Sequence, residues 1–310
     1  MAGSAASLDL QAHRGGRGLM PENTLPAFAH ALALGVTTLE LDCAVTRDGV
    51  VVVSHDALLN PDITRDAGGA WLATAGPSIA TLTYAELQRY DVGRIRPGTA
   101  YAARFPYQKA VDGARIPRLR DVFDLVRRTR NDAVRFNIET KISPAHPERT
   151  FDPRTFARAL IAAVREAGMT GRVAIQSFDW RTLRVVQEEA PEIPTVYLSA
   201  QQDFIDNIRA GDTESPWTAG FHVRNFGGSL PRMVKAAGGA VWSPYYAEVT
   251  RESIAEAQRL GLRVVVWTVN DEGDMQRMIE LGVDGIISDY PDRLRRVAAK
   301  AGIVLPPPTP

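Results

Sequence analysis

The stretch Leu34-Gly35-Val36-Thr37-Thr38-Leu39-Glu40-Leu41-Asp42 decides the fold. It ends a helical pattern, stops on a glycine, runs apolar for one strand length and finishes on carboxylates. Glycine is the residue on which helices commonly terminate, because it accepts the left-handed conformation. The same grammar returns at Leu281-Gly282-Val283 leading to Asp289, with identical spacing. It returns again at Leu260-Gly261-Leu262 before Val264-Val265-Val266-Trp267, and at Ala167-Gly168-Met169 before Val173 to Gln176. Helix, glycine stop, apolar strand and polar strand end make the unit of a parallel βα protein.

Counting outward gives eight candidate strands, at 8–12, 36–42, 134–139, 172–176, 194–198, 240–243, 263–267 and 284–288. Helices fit around 24–34, 119–130, 153–167, 179–189, 229–237, 250–260, 271–281 and 291–300. Eight such units with polar residues at C-terminal strand ends predict an α/β protein, a (β/α)8 TIM barrel over 8–300, with its site on that face. The units around 199–228 are the weakest, for lack of periodicity. Residues 57–115 break the pattern with turn formers, and only Thr81 to Tyr90 reads as a helix, capped by Thr83. An insertion of that length after the second strand unit is expected to be a small cap subdomain over the barrel mouth. Residues 1–7 are expected to be flexible and the Pro-rich tail 301–310 disordered.

Composition bounds the rest. Lys plus Arg and Asp plus Glu are both 36, which removes any general pull toward nucleic acid. No apolar run is long enough to cross a membrane. The single Cys43 forms no intramolecular disulfide and, inside an apolar strand, reads as a buried inert thiol. The small, polar start reads as cytoplasmic, or as standing in place of a removed signal peptide, which would make the protein periplasmic or secreted. Oligomeric state is not written in these residues.

The chemistry gathers at strand ends. The first strand exits into His13-Arg14-Gly15-Gly16, the second ends Glu40-Leu41-Asp42, a further segment ends Ser54-His55-Asp56, and another ends Glu139-Thr140-Lys141. Residues two apart on a strand point the same way, so Glu40 and Asp42 face the barrel axis, as do Glu139 and Lys141. Three converging carboxylates suit a hard divalent cation, Mg²⁺ or Ca²⁺, with too little sulfur or imidazole for zinc. Arg14 and Lys141 add positive charge for an anionic small-molecule substrate, and a phosphate ester is the natural occupant. His13 and His55 titrate near neutrality and suit the two proton transfers of phosphodiester cleavage.

At these residues the sequence resembles the glycerophosphodiester phosphodiesterase family. The matching pieces, in the family's order, are His13-Arg14-Gly15, Pro21-Glu22-Asn23-Thr24, Glu40-Leu41-Asp42, Ser54-His55-Asp56, Ile116-Pro117, Glu139-Thr140-Lys141, Gln176-Ser177-Phe178, Trp267-Thr268-Val269-Asn270 and Ser288-Asp289-Tyr290-Pro291. The resemblance implies a TIM-barrel hydrolase of lipid and glycerol metabolism that cleaves glycerophosphodiesters to sn-glycerol 3-phosphate and an alcohol, through a cyclic intermediate. It also implies that Glu40, Asp42 and Glu139 hold the metal, His13 and His55 act as acid and base, and Arg14 and Lys141 bind phosphate. Glu22 and Asn23 look like supports for the first loop, and the 57–115 segment lies where the family inserts its variable cap.

Simpler readings stand beside these. Phe178 and Trp267 are either barrel core or the apolar wall of a glycerol site. Asp289 reads as a loop-fixing residue rather than a ligand, and His30, His146 and His222 as non-catalytic. The rival functions are a lysophospholipase D-like or sphingomyelinase D-like phosphodiesterase, and a barrel that only binds phosphodiesters. A binding barrel is expected to lack a histidine or a carboxylate, and none is missing.

Overall fold

The computed structural model describes residues 8–309. Eight parallel strands close into a barrel: β1 (Asp9–Ala12), β2 (Thr38–Val45), β3 (Arg135–Thr140), β4 (Val173–Ser177), β5 (Thr195–Ser199), β6 (Val241–Pro244), β7 (Arg263–Val266) and β8 (Gly285–Ser288). Each pairs with the next, and β1 pairs with both β2 and β8 to complete the ring. The outer layer is α1 (Leu25–Leu34), α2 (Leu119–Arg128), α3 (Pro153–Glu166), α4 (Trp180–Glu189), α5 (Leu230–Ala236), α6 (Arg251–Arg259), α7 (Glu272–Leu281) and α8 (Pro291–Lys300). The strand and helix count expected from the repeating unit is met. No boundary moves by more than three residues.

Local chemistry sets the helix ends. Thr24 caps α1 by accepting the Ala27 N–H, with Pro26 in the first turn, and Gly35 ends it at φ 85°. Asp152, Asp179 and Asp271 cap α3, α4 and α7 in the same way. Alternation then divides each strand. Leu10, Leu39, Leu41, Phe136, Ile138, Ile175, Val264 and Ile286 face outward and are buried under the helices. Each such side chain stabilises the fold by roughly 1.5–3 kcal/mol.

The inward-facing residues split the barrel interior into two halves. Val196, Val241, Val265 and Ile287 pack together on the β5–β8 side. On the β1–β4 side stand Gln11, Thr38, Glu40, Asn137 and Gln176, all buried.

Three features depart from the sequence reading. β2 runs on to Val45 because Val51–Val53 folds back antiparallel onto it, a hairpin that delivers His55 to the barrel mouth. Between β5 and β6 the chain forms a two-stranded ribbon, 201–202 with 205–206, before α5. The tail, expected to be disordered, is docked over residues 301–309. Arg295 donates to the Pro306 carbonyl at 2.9 Å, Asn131 to the Thr309 hydroxyl at 2.7 Å, and the Thr309 N–H to the Leu32 carbonyl at 2.9 Å. An extended proline run keeps its carbonyls free to accept, so it docks without helical structure. The expected flexible start, 1–7, lies outside the described residues.

Within 57–115 the helix predicted near Thr83 is Tyr84–Leu87, capped by Thr83, and a second short helix spans Ala100–Arg104. Leu59, Ile79, Leu87, Val92 and Ile116 form a separate apolar cluster with Ala44 and Val52 of the hairpin. No helix among the described residues is long and apolar enough to cross a membrane.

Candidate active site

A cavity of about 720 Å³ opens at the C-terminal ends of the strands. Its lining includes His13, Arg14, Glu40, His55, Glu139, Lys141, Phe178 and Trp267, all expected from the sequence. Asp42 stands with Glu40 and Glu139 in one buried group, their oxygens within 4.8 Å of one another. Strand register makes this meeting unavoidable, since Asp42 lies level with Glu139 on the neighbouring strand.

The first loop is built around Arg14. It adopts φ 53° and ψ 33°, a conformation that L-residues hold only when surroundings enforce it. Here its N–H donates to Glu40 Oε2 at 2.8 Å and its Nη1 to Glu22 Oε1 at 2.7 Å. Gly15 follows at φ 78°, where a Cβ would meet that of Ala27 at 2.9 Å. Arg14 Nε lies 3.2 Å from Asp42 Oδ2 without hydrogen-bond alignment. Asn23 donates to the same carboxylate oxygen at 2.9 Å. Glu22 and Asn23 thus contact Arg14 and Asp42 from behind the loop.

Both imidazoles are oriented by carboxylates. His13 Nδ1 lies 2.6 Å from Asp289 Oδ1, and His55 Nδ1 lies 2.8 Å from Asp56 Oδ1. Each Nδ1–H has an acceptor, which leaves Nε2 to take a proton. His13 Nε2 points at the triad, 4.0 Å from Glu40 Oε2. Burial pushes His13 down to about 4, with Arg17 and Arg14 acting the same way against Asp289. Burial and Arg14 also lower His55. Both are therefore neutral in the ligand-free cavity at pH 7.

The carboxylates divide. Arg14, His55 and Lys141 hold Asp42 far below the usual range despite its burial. Burial and the neighbouring carboxylates raise Glu40, and burial pushes Glu139 up to about 7 although Lys141 Nζ sits 2.7 Å from its Oε1. Asp42 Oδ1 is buried and without a hydrogen-bond partner. Three hard oxygen donors, one of them orphaned, fit a divalent cation. Burial and mutual repulsion raise the proton affinity of Glu40 and Glu139, so cation binding is expected to displace protons.

That displacement gives a testable pH dependence. Glu139 binds its proton more tightly folded than unfolded. Its contribution to stability is therefore full below about pH 4.5 and lost as pH rises through about 7 in the metal-free protein. Saturating MgCl₂ or CaCl₂ is expected to raise the melting temperature more at pH 8 than at pH 5.5. Apparent cation affinity should fall about tenfold per pH unit for each proton displaced. Equal thermal shifts at the two pH values contradict the assignment.

The structure adds residues that the sequence reading missed. Asp289 fixes a loop as expected, accepting Gly18 N–H at its backbone, but its side chain also holds His13, Arg17 Nε at 2.7 Å and Asn270 Nδ2 at 2.7 Å. Tyr101, from the insertion, donates its hydroxyl to Glu22 and accepts Arg17 Nη1 at 3.3 Å. Tyr101 had no local signal, because its partners lie in another segment of the chain. Phe178, Trp267, Tyr245 and Phe204 pack in a row, the two outer pairs edge to face and the Trp267–Tyr245 pair tilted, with centroids 5.1–5.5 Å apart, from beside Lys141 to the cavity rim. His30 and His146 lie away from the cavity lining, and His222 caps the short turn Val223–Phe226.

Residues 13–293 match the glycerophosphoryl diester phosphodiesterase family. The chain belongs to that family. It is an enzyme of the phosphoric diester hydrolase class. A glycerophosphodiester phosphodiesterase of Caldanaerobacter subterraneus subsp. tengcongensis is 31% identical over 295 residues, covering 94% of this chain and 98% of that one. A solved structure from Silicibacter pomeroyi, assigned by name to the same family, is 40% identical with a TM-score of 0.85, covering 97% and 96% of the two chains. A phosphodiesterase of Oleispira antarctica, solved with its product sn-glycerol 3-phosphate, shares the fold at a TM-score of 0.67 and 19% identity, over 95% and 97% of the chains.

Proposed function

We propose that this family member hydrolyses glycerophosphodiesters to sn-glycerol 3-phosphate and an alcohol. In this reading Glu40, Asp42 and Glu139 hold one divalent cation, Mg²⁺ or Ca²⁺. The observation that carries it is one cavity lined by Glu40 and Glu139, with Asp42 buried beside them, together with Arg14, Lys141 and two carboxylate-oriented imidazoles. Charge supports it: a divalent cation would offset the mutual repulsion of the three carboxylates, and Arg14 and Lys141 add positive charge beside them for an anionic substrate. The cation, when bound, supplies Lewis-acid charge at the phosphoryl oxygens.

The protein's own residues do the rest. Arg14 and Lys141 bind and orient the phosphodiester. One of His13 and His55 takes the nucleophile's proton at Nε2, and the other gives a proton to the leaving alkoxide. The bound anion raises both imidazoles from their lowered resting values, which makes the acid role available at neutral pH. Asp289 and Asp56 hold the rings in register. The 57–115 segment shapes the mouth through Tyr101 and Arg104, which line the cavity. Dialysis against chelator is expected to abolish release of sn-glycerol 3-phosphate from glycerophosphocholine, and MgCl₂ or CaCl₂ to restore it. Full activity in excess chelator would sink the metal assignment.

The aromatic row favours a second reading, cleavage of lysophospholipids. It ends at Phe204, which is 65% exposed at the rim and well placed to lie along an acyl chain. Comparing turnover of glycerophosphocholine, glycerophosphoethanolamine and lysophosphatidylcholine separates the two.

A further inference from the structure

Two buried carboxylates stand at opposite ends of a chain of side-chain amides in the polar half of the barrel. At the lower end Asp9 accepts the hydroxyls of Thr37 and Thr38 at 2.7 and 2.6 Å and Gln11 Nε2 at 3.0 Å. At the upper end Glu40 accepts Gln176 Nε2 at 2.7 Å. Asp9 accepts here, and Glu40 in the ionised form that would bind a cation only accepts, so each end turns the neighbouring NH₂ toward itself and the neighbouring carbonyl toward the middle. Gln11 Oε1 and Gln176 Oε1 are thus two acceptors with nothing between them to donate, except Asn137. Its Nδ2 donates to Gln11 Oε1 at 2.9 Å and to Gln176 Oε1 at 2.8 Å, using both hydrogens.

The same residue shows what this costs. Asn137 is 2% exposed, and its Oδ1 is buried with no hydrogen-bond partner. An unsatisfied buried acceptor costs about 1–3 kcal/mol. The opposite half of the barrel fills the same layer with valine and isoleucine and carries no such penalty. Stability alone does not explain the amide. Its position does, because it sits level with Glu40 on the adjacent strand and one bond from the amide that holds it.

We propose that Asn137 is a positioning residue for the carboxylate triad: by donating both ways it locks the Gln176 amide with its N–H on Glu40, and so fixes the carboxylate in the orientation that faces Asp42 and Glu139. The proposal rests on the reading that the triad holds a cation. Without the hub, Gln176 Oε1 has no anchor, the amide is free to rotate, and Glu40 loses a fixed donor.

Calorimetric titration of MgCl₂ and CaCl₂ into the metal-free full-length protein tests this. Asn137→Leu is expected to weaken cation binding about 10–100-fold, the usual size of losing a ligand's support. Asn137→Leu combined with Gln176→Leu should bind no worse than Gln176→Leu alone, because both act through one bond. Gln11→Leu leaves the Asn137–Gln176 bond intact, so its affinity should stay within about twofold of the parent while its melting temperature falls. A merely structural amide would lower the melting temperature in Asn137→Leu and Gln11→Leu alike and leave both affinities unchanged, which overturns the proposal. Asn137→Asp keeps the volume but offers one hydrogen at most, so it carries the same expectation if the leucine variant does not fold. If neither variant folds, the role is structural and the proposal falls. A parent protein that binds neither cation overturns the metal reading instead.

Discussion

Replacing His13 or His55 with alanine is expected to lower kcat by roughly 10²–10⁴-fold, the range of a general acid or base contribution. The proteins should remain folded, because neither change strands a buried charge. Asp289 keeps its bonds from Arg17 and Asn270 when His13 is lost, and Asp56 keeps Asn60 when His55 is lost. The double variant should lose less than the product of the single losses, since both residues serve one proton relay. Substrates with an activated aryl leaving group depart without protonation, so they should rescue only the variant that lost the acid. That rescue assigns the two roles. A single variant with near-parental kcat removes its histidine from the mechanism.

The partners of the histidines show why the sequence revealed some of this site and hid the rest. Strand ends were legible because each βα unit repeats a period of 3.6, a glycine and a period of two, and side chains two apart share a face. Glu40, Asp42, Glu139 and Lys141 follow from that rule directly. Asp289 was placed correctly at a strand end, yet its hold on His13 spans 276 residues, and no local pattern encodes a closure between the first and last strands. Arg17 and Tyr101 escaped for the same reason, as both act through contacts between the first loop and the insertion. Leu8 to Ala12 reads as a plain buried strand, but Asp9 and Gln11 alternate inward and begin the amide chain. The tail departs from the expectation because proline excludes helix without excluding docking.

The insertion gives a further case. Its turn formers mark it as irregular, which is correct, but its apolar cluster is shared with Ala44 and Val52 of the hairpin that carries His55. The segment is thus packed against the element that positions a candidate acid or base. Tyr101 carries a second link, through Glu22 to Arg14. A change in the insertion that moves Tyr101 is therefore expected to reach Arg14 through Glu22.

A 2-deoxy analogue of glycerophosphocholine is expected to bind but to be cleaved orders of magnitude more slowly than the parent diester. The expected nucleophile is the substrate's own hydroxyl. The glycerol 2-hydroxyl adjoins the phosphoester oxygen, and intramolecular placement of that kind can replace on the order of 7–11 kcal/mol of barrier in favourable cases. In the proposed route one histidine would take its proton as the oxygen bonds to phosphorus. The bond to the headgroup oxygen would then break, with the other histidine protonating the departing alkoxide. The expected product of this step is a 1,2-cyclic phosphate, which water would open with the two imidazoles in exchanged roles. Phosphorus NMR during early turnover should show the five-membered cyclic phosphate as a transient signal. The binding constant of the deoxy analogue separates lost chemistry from lost affinity, since Arg14 and Lys141 still meet its phosphate. Normal turnover of the deoxy analogue would mean that water attacks the diester directly, with the histidines serving that water instead.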